Sequence, residues 1–202
     1  MVFFGPSAVL GALVLGYVLG SIPFGLIIAF LSGAGDVRKI GSGNIGATNV
    51  LRTGKRWAAV ATLLGDGLKG ALAVMIASRL ILPASAIFAG LGAVLGHIYP
   101  VWLKFKGGKG VATFIGVAAG LSWPVALLTG ATWLIAALLW RISSLSALIA
   151  IALSPAYFLL FGQSRNAAVA AILALLIFFA HRENIRRLLS GREPRIGAGR
   201  GT

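Results

Sequence analysis

Long apolar stretches alternate with short polar segments along the whole chain. The hydrophobic runs lie near residues 5–31, 57–82, 84–103, 110–140, 143–162 and 166–181. Runs of more than about 18 apolar residues are typical of helices that cross a bilayer. The first run and the fourth also contain no Asp, Glu, Lys or Arg. The pattern predicts an all-α integral membrane protein.

The fourth run, residues 110–140, is too long for a single span of roughly 17–25 residues. Ser122-Trp123-Pro124 lies near its middle, and proline both breaks a helix and restricts the residue before it. We therefore expect two helices here, near 108–122 and 124–140. With this division the chain has seven transmembrane helices.

The basic residues favour seven helices over six. With seven, every Lys and Arg except Lys69, Arg79 and Arg165 falls in loops on one side or in the C-terminal segment on that same side. Cytoplasmic loops carry an excess of Lys and Arg, so we expect the N-terminus outside and the C-terminus in the cytoplasm. We treat residues 1–192 as one domain and 193–202 as a short, variable cytoplasmic tail.

This topology has a consequence for function. Three polar segments, residues 38–56, 97–113 and 181–187, would share the cytoplasmic membrane face and could form a single site.

Composition excludes several classes of protein. With 58% hydrophobic and 11% charged residues, the chain is unlike soluble domains, of which about a quarter is charged. The absence of cysteine excludes disulfides and thiolate metal sites, and two histidines with four acidic residues give little else. We expect no metal and no cofactor. The net charge of +14 fits basic loops beside membrane helices, and we expect no nucleic-acid partner.

The segment "GSGNIGATNVLR", residues 41–52, is a candidate phosphate site. Its three glycines let backbone N–H groups approach an anion closely. Thr48 or Asn49 could cap a short helix, whose N-terminus also favours an anion. Arg52 adds a planar, bidentate phosphate donor. The alternative is a flexible turn between two helices.

A second glycine-rich segment, "GHIYPVWLKFKGGKGVAT", spans residues 96–113. It lacks the Ser or Thr that follows the lysine in an ATP-binding P-loop, and it follows a membrane helix. Exposed N–H groups of Gly107 and Gly108, with Lys109 beside them, would still suit a phosphate. The alternative is an ordinary basic cytoplasmic loop. His97, close to Pro100, is interpreted as a hydrogen-bonded structural residue.

Polar residues also occur in two further places. In "HRENIRRLL", residues 181–189, His181 and Asn184 share one face at helical spacing, although a solvated basic helix end is the alternative. Asp66 and Lys69 lie inside the second apolar run, where charges are costly and usually paired or functional. Their spacing lets them pair, and we favour structural support of the site over direct catalysis.

Five segments together carry a family resemblance: "GSGNIGATNVLR", "DGLKG", "GHIYP", "FKGGKGVAT" and "HRENIRRL". In this order they resemble the bacterial membrane glycerol-3-phosphate acyltransferases that use acyl phosphate, the PlsY family, from about Gly20 to Arg192. The resemblance implies transfer of a fatty acyl group from acyl phosphate to the 1-hydroxyl of sn-glycerol 3-phosphate. The products would be lysophosphatidic acid and phosphate, in the first acylation of phospholipid biosynthesis.

The resemblance also implies a setting and a set of functional residues. The setting is the lipid bilayer of the bacterial inner membrane, with the site facing the cytoplasm; association with the enzyme that makes acyl phosphate is left open. Catalytic roles are implied for Ser42, Lys109, His181 and Asn184. Substrate or phosphate binding is assigned to Gly43, Asn44, Gly46, Thr48, Asn49, Arg52, Gly107, Gly108 and Lys109. Supporting roles are assigned to Asp66, Lys69 and His97.

Several alternatives stay open at this point. The proton of the acceptor hydroxyl could pass to His181 or to a substrate phosphate, whose second pKa is near 6, and we favour the phosphate. The donor could be acyl-CoA or an acyl carrier protein. A transporter of phosphorylated solutes is a rival class, although transporters bind near the midplane between paired repeats. A purely structural membrane subunit would leave the glycine-rich segments unexplained.

Overall fold

The computed structural model describes residues 5–197, and all the regular structure in this range is helical. This confirms the all-α prediction. Three short 3₁₀ turns lie at Val37–Lys39, Pro83–Ser85 and Val101–Leu103. The ten α-helices are α1 (Pro6–Gly20), α2 (Phe24–Leu31), α3 (Ala47–Leu51), α4 (Arg56–Leu80), α5 (Ala86–Ile98), α6 (Val111–Leu121), α7 (Trp123–Trp140), α8 (Ser143–Leu160), α9 (Ser164–Ala180) and α10 (Arg182–Leu189).

Five helical segments of the described chain are long and apolar enough to cross a bilayer. They are Pro6–Leu31, Arg56–Leu80, Pro83–Leu103, Trp123–Trp140 and Ser143–Leu160. Helices α9 and α10, bent by 65° against each other, form a sixth candidate if they are taken as one span.

Helix α6 is apolar but has only 11 residues. At 1.5 Å per residue it is about 16 Å long, roughly half of the hydrocarbon core. The described residues therefore contain five to six candidate spans. Seven spans, and the orientation of the chain, stay a prediction that depends on α6.

The predicted break in the fourth hydrophobic run is confirmed. Helix α6 ends at Leu121, Ser122 is extended with φ −163° and ψ 96°, and α7 begins at Trp123. Proline is accommodated at the second residue of α7 because the first turn of a helix does not use that N–H group.

The first hydrophobic run is also broken, which the sequence pattern did not predict. Helix α1 ends at Gly20 and α2 begins at Phe24, with Ser21–Pro23 between them. Pro23 has no N–H group and restricts Ile22, so the helical hydrogen bonding cannot continue through this point. The break leaves backbone carbonyl groups that need partners from elsewhere in the fold.

The chain divides into two compact units, and the boundary lies between Trp123 and Pro124. In the amino-terminal unit, α1 packs along α5, and α4 packs against α5 and α6. In the carboxy-terminal unit, α8 packs against α9. The prediction of one domain over residues 1–192 stays a prediction. Residues 198–202 of the predicted tail lie outside the described residues.

Close contact between α1 and α5 depends on small residues. Gly16 and Gly20 lie directly against the backbone of Ala89 and Ala93, so that an added Cβ would overlap their carbonyl oxygens. These are the two glycines of a GxxxG pattern, which membrane helices use for close approach. The packing holds in place the end of α1 and the break that follows it.

Candidate functional site

The first polar segment folds around the side chain of Asn49, which is 2% exposed. Its Nδ2 atom donates to the carbonyl oxygens of Val37 at 2.7 Å, Asn44 at 2.8 Å and Ile40 at 3.2 Å. The backbone N–H of Ser42 donates to its Oδ1 atom at 3.2 Å. Both polar atoms of the amide are therefore bound to the backbone of the loop.

The start of α3 differs from the expected capping. The helix begins at Ala47, with Gly46 as the N-cap in an extended conformation, and it has five residues. The expectation that Thr48 or Asn49 caps this helix is wrong, because both lie inside it and the Asn49 amide is bound to the preceding loop. The N–H group of Gly43 is also used within the loop, where it donates to the Ile40 carbonyl at 2.9 Å.

Arg52 follows α3 and is exposed. Its side chain passes over Gly41: a Cβ at Gly41 would lie 2.6 Å from Cδ of Arg52 and 2.5 Å from Oδ1 of Asn49. Gly41 has φ +52°, a conformation that side-chain-bearing residues adopt only with strain. The structure thus brings together Ser42, Asn49 and Arg52, three of the predicted site residues.

The second polar segment holds its glycines against the end of α5. The N–H groups of Gly107 and Gly108 donate to the carbonyl oxygens of Ile98 and His97, each at 3.0 Å. The imidazole of His97 lies so close to Gly108 that a Cβ there would overlap the ring. The expectation that these two N–H groups bind a phosphate is therefore wrong, because they bind the last carbonyl groups of α5. The segment instead presents Lys109, which is half-buried just before the first turn of α6.

A buried polar cluster underlies this segment. Asp66, Lys69 and His97 are each at most 4% exposed. The predicted ion pair is present, with Nζ of Lys69 at 2.7 Å from Oδ1 of Asp66. The Nδ1 atom of His97 is 3.5 Å from the same carboxylate oxygen. Lys69 also donates to the carbonyl of Ile22 at 2.8 Å, which satisfies an acceptor at the break in the first span.

The break between α1 and α2 connects the two loops. The indole N–H of Trp102, in the second segment, donates to the Ser21 carbonyl at 2.8 Å. The carbonyl of Ile45, in the first segment, lies directly against Gly25. Residues 21–25 therefore contact both polar segments of the amino-terminal unit.

The third polar segment begins at the bend between α9 and α10. His181 is 3% exposed, and its Nδ1 atom is 2.8 Å from the Ile177 carbonyl oxygen. A carbonyl only accepts hydrogen bonds, so Nδ1 carries the proton and Nε2 is the nitrogen that can accept one in the neutral ring. Asn184 is 4% exposed, whereas Arg182 and Glu183 are exposed, as expected if His181 and Asn184 share an inward face.

Glu193, which the sequence did not predict as a site residue, binds Asn184. Its carboxylate accepts hydrogen bonds from Nδ2 of Asn184 at 2.5 Å, Oγ of Ser144 at 2.7 Å and Nε of Arg187 at 2.7 Å. Partial burial acts to raise the pKa of Glu193, but these three hydrogen bonds outweigh it and hold the pKa below its ordinary value. The available signal was the rarity of acidic residues, since the chain has only four.

The site residues are divided between the two units. Ser42, Arg52 and Lys109 belong to the amino-terminal unit, and His181 and Asn184 to the carboxy-terminal unit. Convergence of all three polar segments on one site stays a prediction. Within residues 5–197, no group of three or more His, Cys, Asp or Glu side chains is gathered in a way that could hold a metal ion.

Comparison with known proteins gives the same class throughout. The family model "Glycerol-3-phosphate acyltransferase" matches residues 10–191. A glycerol-3-phosphate acyltransferase of Bradyrhizobium diazoefficiens is 58% identical over 92% of this chain and 94% of its own length. One from Nitrobacter winogradskyi is 59% identical over 93% of this chain and 95% of its own.

Solved structures agree with these sequence matches. The crystal structure of PlsY, an integral membrane glycerol 3-phosphate acyltransferase, in its glycerol 3-phosphate form has a TM-score of 0.87 and 42% identity over 94% of this chain and 96% of that one. Its lysophosphatidic acid form has a TM-score of 0.85 and 41% identity, with coverages of 94% and 95%. The fold and the matches define an integral membrane acyltransferase of phospholipid synthesis. The chain belongs to the glycerol-3-phosphate acyltransferase family of PlsY type, which decides against the transporter and structural-subunit alternatives.

Proposed function

We propose that the protein transfers a fatty acyl group from acyl phosphate to the 1-hydroxyl of sn-glycerol 3-phosphate. The hydroxyl oxygen attacks the acyl carbonyl carbon, and the bond from that carbon to the phosphate oxygen breaks. The electron pair leaves with the phosphate, which ends with the proton of the hydroxyl. The products are lysophosphatidic acid and inorganic phosphate, in the first acylation of phospholipid biosynthesis.

One observation carries this proposal. Two polar segments, one containing Arg52 and the other Lys109, contact residues 21–25, which comprise the break in the first span and the start of α2. Two cations close to a membrane-embedded apolar helix suit a reaction whose substrates carry two phosphates and one acyl chain. Fixed cations aimed at developing negative charge also stabilise a departing phosphate.

Each site residue has a proposed role. Arg52 and Lys109 bind the phosphates, and Ser42 lines the first loop. His181 and Asn184 orient the acceptor or the reacting carbonyl. The cluster of Asp66, Lys69 and His97 supports the second polar segment, where the His97 ring packs against Gly108. A substrate phosphate receives the hydroxyl proton in the favoured version, and His181 receives it in the alternative.

We further propose that the enzyme lies in the bacterial inner membrane with seven spans, its N-terminus outside and its site facing the cytoplasm. A cytoplasmic site gives direct access to the water-soluble acceptor, while the acyl chain of the donor stays in the bilayer. The bilayer is thus a partner of the enzyme, and the enzyme that makes acyl phosphate is a second partner proposed for the cytoplasmic face.

The decisive experiment measures phosphate release by the purified protein from palmitoyl phosphate, with and without glycerol 3-phosphate. We expect release that depends on the acceptor, and a loss of about 100-fold or more in kcat/KM for Arg52→Ala and for Lys109→Ala. Arg79→Ala is the matched control, because Arg79 lies at the far end of α4 from Arg56 and near neither loop.

Each other outcome has a definite meaning. Product from acyl-CoA but none from acyl phosphate would keep the acyltransferase and overturn the donor. Full activity of Arg52→Ala or Lys109→Ala would remove that residue from the site. An equal loss in Arg79→Ala would show that the effect is one of overall charge.

A further inference from the structure

We propose that Asn49 is a positioning residue that fixes Arg52 and Ser42 for the phosphate of the substrate without touching the substrate itself. The inference rests on the proposed role of Arg52 and extends it, since it says what holds that arginine in place. It also replaces the expected role of Asn49 as a direct phosphate ligand.

The loop before Asn49 has little hydrogen bonding of its own. Between residues 37 and 44 its backbone makes two internal hydrogen bonds, from Ile40 to Val37 at 3.4 Å and from Gly43 to Ile40 at 2.9 Å. The Asn49 amide contributes four more contacts, three through Nδ2 and one through Oδ1. A single buried side chain therefore connects the start of this loop, at Val37, with its middle and its end, at Ile40, Ser42 and Asn44.

The same amide contacts the region over which Arg52 passes. Oδ1 of Asn49 and Cδ of Arg52 both lie directly against Gly41. A Cβ at Gly41 would overlap both atoms. The position of the arginine stem is thus set by the loop backbone at Gly41, which is itself held by Asn49. Ser42, the next residue, donates its N–H group to the same amide oxygen.

Direct binding of substrate by Asn49 does not fit these contacts. Its side chain is 2% exposed, and both its polar atoms are bound to backbone groups. Arg52, by contrast, is exposed. A guanidinium group binds phosphate through a fixed fork of donors, so its orientation decides how well it works. A displacement of about 1 Å in such a group can cost about 100-fold in rate.

The first test is a double-mutant cycle of Asn49→Ala and Arg52→Ala. It uses the full-length protein in detergent and whichever acyl donor the wild type accepts. We expect Asn49→Ala to lower kcat/KM by about tenfold to 100-fold. In the Arg52→Ala background the same change should add less than about threefold, because the residue through which Asn49 acts is already gone. Asn166→Ala, which removes an amide bonded to Gln163 in the other unit, is the control and should keep wild-type activity.

The second test changes Gly41, which lies directly against both Oδ1 of Asn49 and Cδ of Arg52. Gly41→Ala should reproduce the loss of Asn49→Ala, because its Cβ would push apart the Asn49 amide and the Arg52 stem. Gly35→Ala is the matched control: Gly35 also has a positive φ, +73°, and lies shortly before the same segment, but nothing lies within 4 Å of its Cβ position. Gly35→Ala should carry the backbone strain without the kinetic loss.

Amide hydrogen exchange separates local positioning from general unfolding. In Asn49→Ala, exchange should accelerate in a peptide covering residues 40–46, which includes the Ser42 N–H group, and stay at the wild-type rate in α4 and α5. Acceleration throughout the protein would mean that the variant is unfolded and would overturn the positioning role.

The kinetic outcomes separate this inference from the proposed function. If Arg52→Ala is impaired but Asn49→Ala is normal, the inference fails and the proposed function stands. If the two losses multiply in the double variant, Asn49 acts independently of Arg52 and the inference fails. If Arg52→Ala is fully active, the proposed role of Arg52 fails and the inference fails with it. A wild type that uses only acyl-CoA changes the donor and leaves the inference to be decided by the cycle.

Discussion

Each of the four acidic side chains of the protein has a basic partner, and at Asp36 the pairing decides the charge state. Hydrogen bonds from Arg38 lower the pKa of Asp36 to about 2, which shows how strongly such a partner favours the charged carboxylate. A carboxylate bound in this way is a poor proton acceptor. Asp36 therefore does not compete with the proposed acceptors, a substrate phosphate and His181. The pairs are Asp36–Arg38, Asp66–Lys69, Glu183–Arg186 and Glu193–Arg187.

His181→Ala distinguishes these two acceptors. If a substrate phosphate takes the proton, we expect the variant to keep turnover within about 100-fold of the wild type, since general-base catalysis is typically worth about 10²–10⁴-fold. The measurement is kcat, together with calorimetric binding of each substrate. His181→Gln is the control for the lost volume of the ring. Turnover abolished in both variants, with binding of both substrates intact, would assign base catalysis to the histidine.

At the scale of elements, the two helix breaks show what a sequence pattern can resolve. The break at Ser122 was predicted, because its run is too long for one span and contains a proline near its middle. The break at Ser21–Pro23 was not, because residues 5–31 have the length of a single tilted span and stay apolar throughout. Only the structure shows that Lys69 and Trp102 bind the carbonyl groups freed at this break.

The short helix α10 is tied to the rest of its unit by Glu193. The carboxylate binds Asn184 and Arg187 of α10 and Ser144 at the start of α8. Asn184 is one of the predicted catalytic residues, so its orientation depends on a residue that the sequence pattern assigned to a variable tail. Hydrogen bonds between residues distant in sequence are not visible in a hydrophobic pattern.

Glu193→Gln should change how stability depends on pH. The pKa of Glu193 is lowered in the folded protein, so the unfolded chain binds the proton more readily. Its stabilising contribution is present above the ordinary pKa of 4.5 and is lost as the pH falls through the lower folded value. We expect the variant to unfold about 2–6 °C below the wild type at pH 7, with the difference shrinking as the pH falls below about 4.5.

Thermal unfolding in detergent at several pH values provides the measurement. Glu183→Gln is the matched control, because Glu183 pairs with exposed arginines and such surface pairs contribute little. If the unfolding temperatures of Glu193→Gln and the wild type differed by the same amount at all pH values, the Glu193 carboxylate would not carry the assigned charge.

At the scale of the whole molecule, the number of membrane crossings depends on one element. Helix α6 is the element that decides it, since its 11 residues are too few to cross a full hydrocarbon core unaided. If α6 and α7 both cross, Lys106 and Arg141 lie on the same side of the membrane. If only α7 crosses, they lie on opposite sides.

Introduced cysteines can decide this, because the natural chain has none. We expect Lys106→Cys, Arg141→Cys and Arg192→Cys to react with a membrane-impermeant maleimide only from the cytoplasmic side. Ser7→Cys and Gln163→Cys should react from outside. Acyltransferase activity of each variant confirms that it is folded. Labelling of Lys106→Cys and Arg141→Cys from opposite sides would reject seven spans.

The sequence by itself determined the helical membrane class, the break at Ser122 and the family, because hydrophobic runs and local motifs are properties of neighbouring residues. It also predicted the pairing of Asp66 with Lys69, which the structure confirms. Only the tertiary structure decided which polar groups of the first two polar segments already have hydrogen-bond partners within the protein. The N–H groups of Gly107 and Gly108 and the amide of Asn49 bind the protein's own backbone, and hydrogen-bond partners brought together by folding cannot be read from the order of residues.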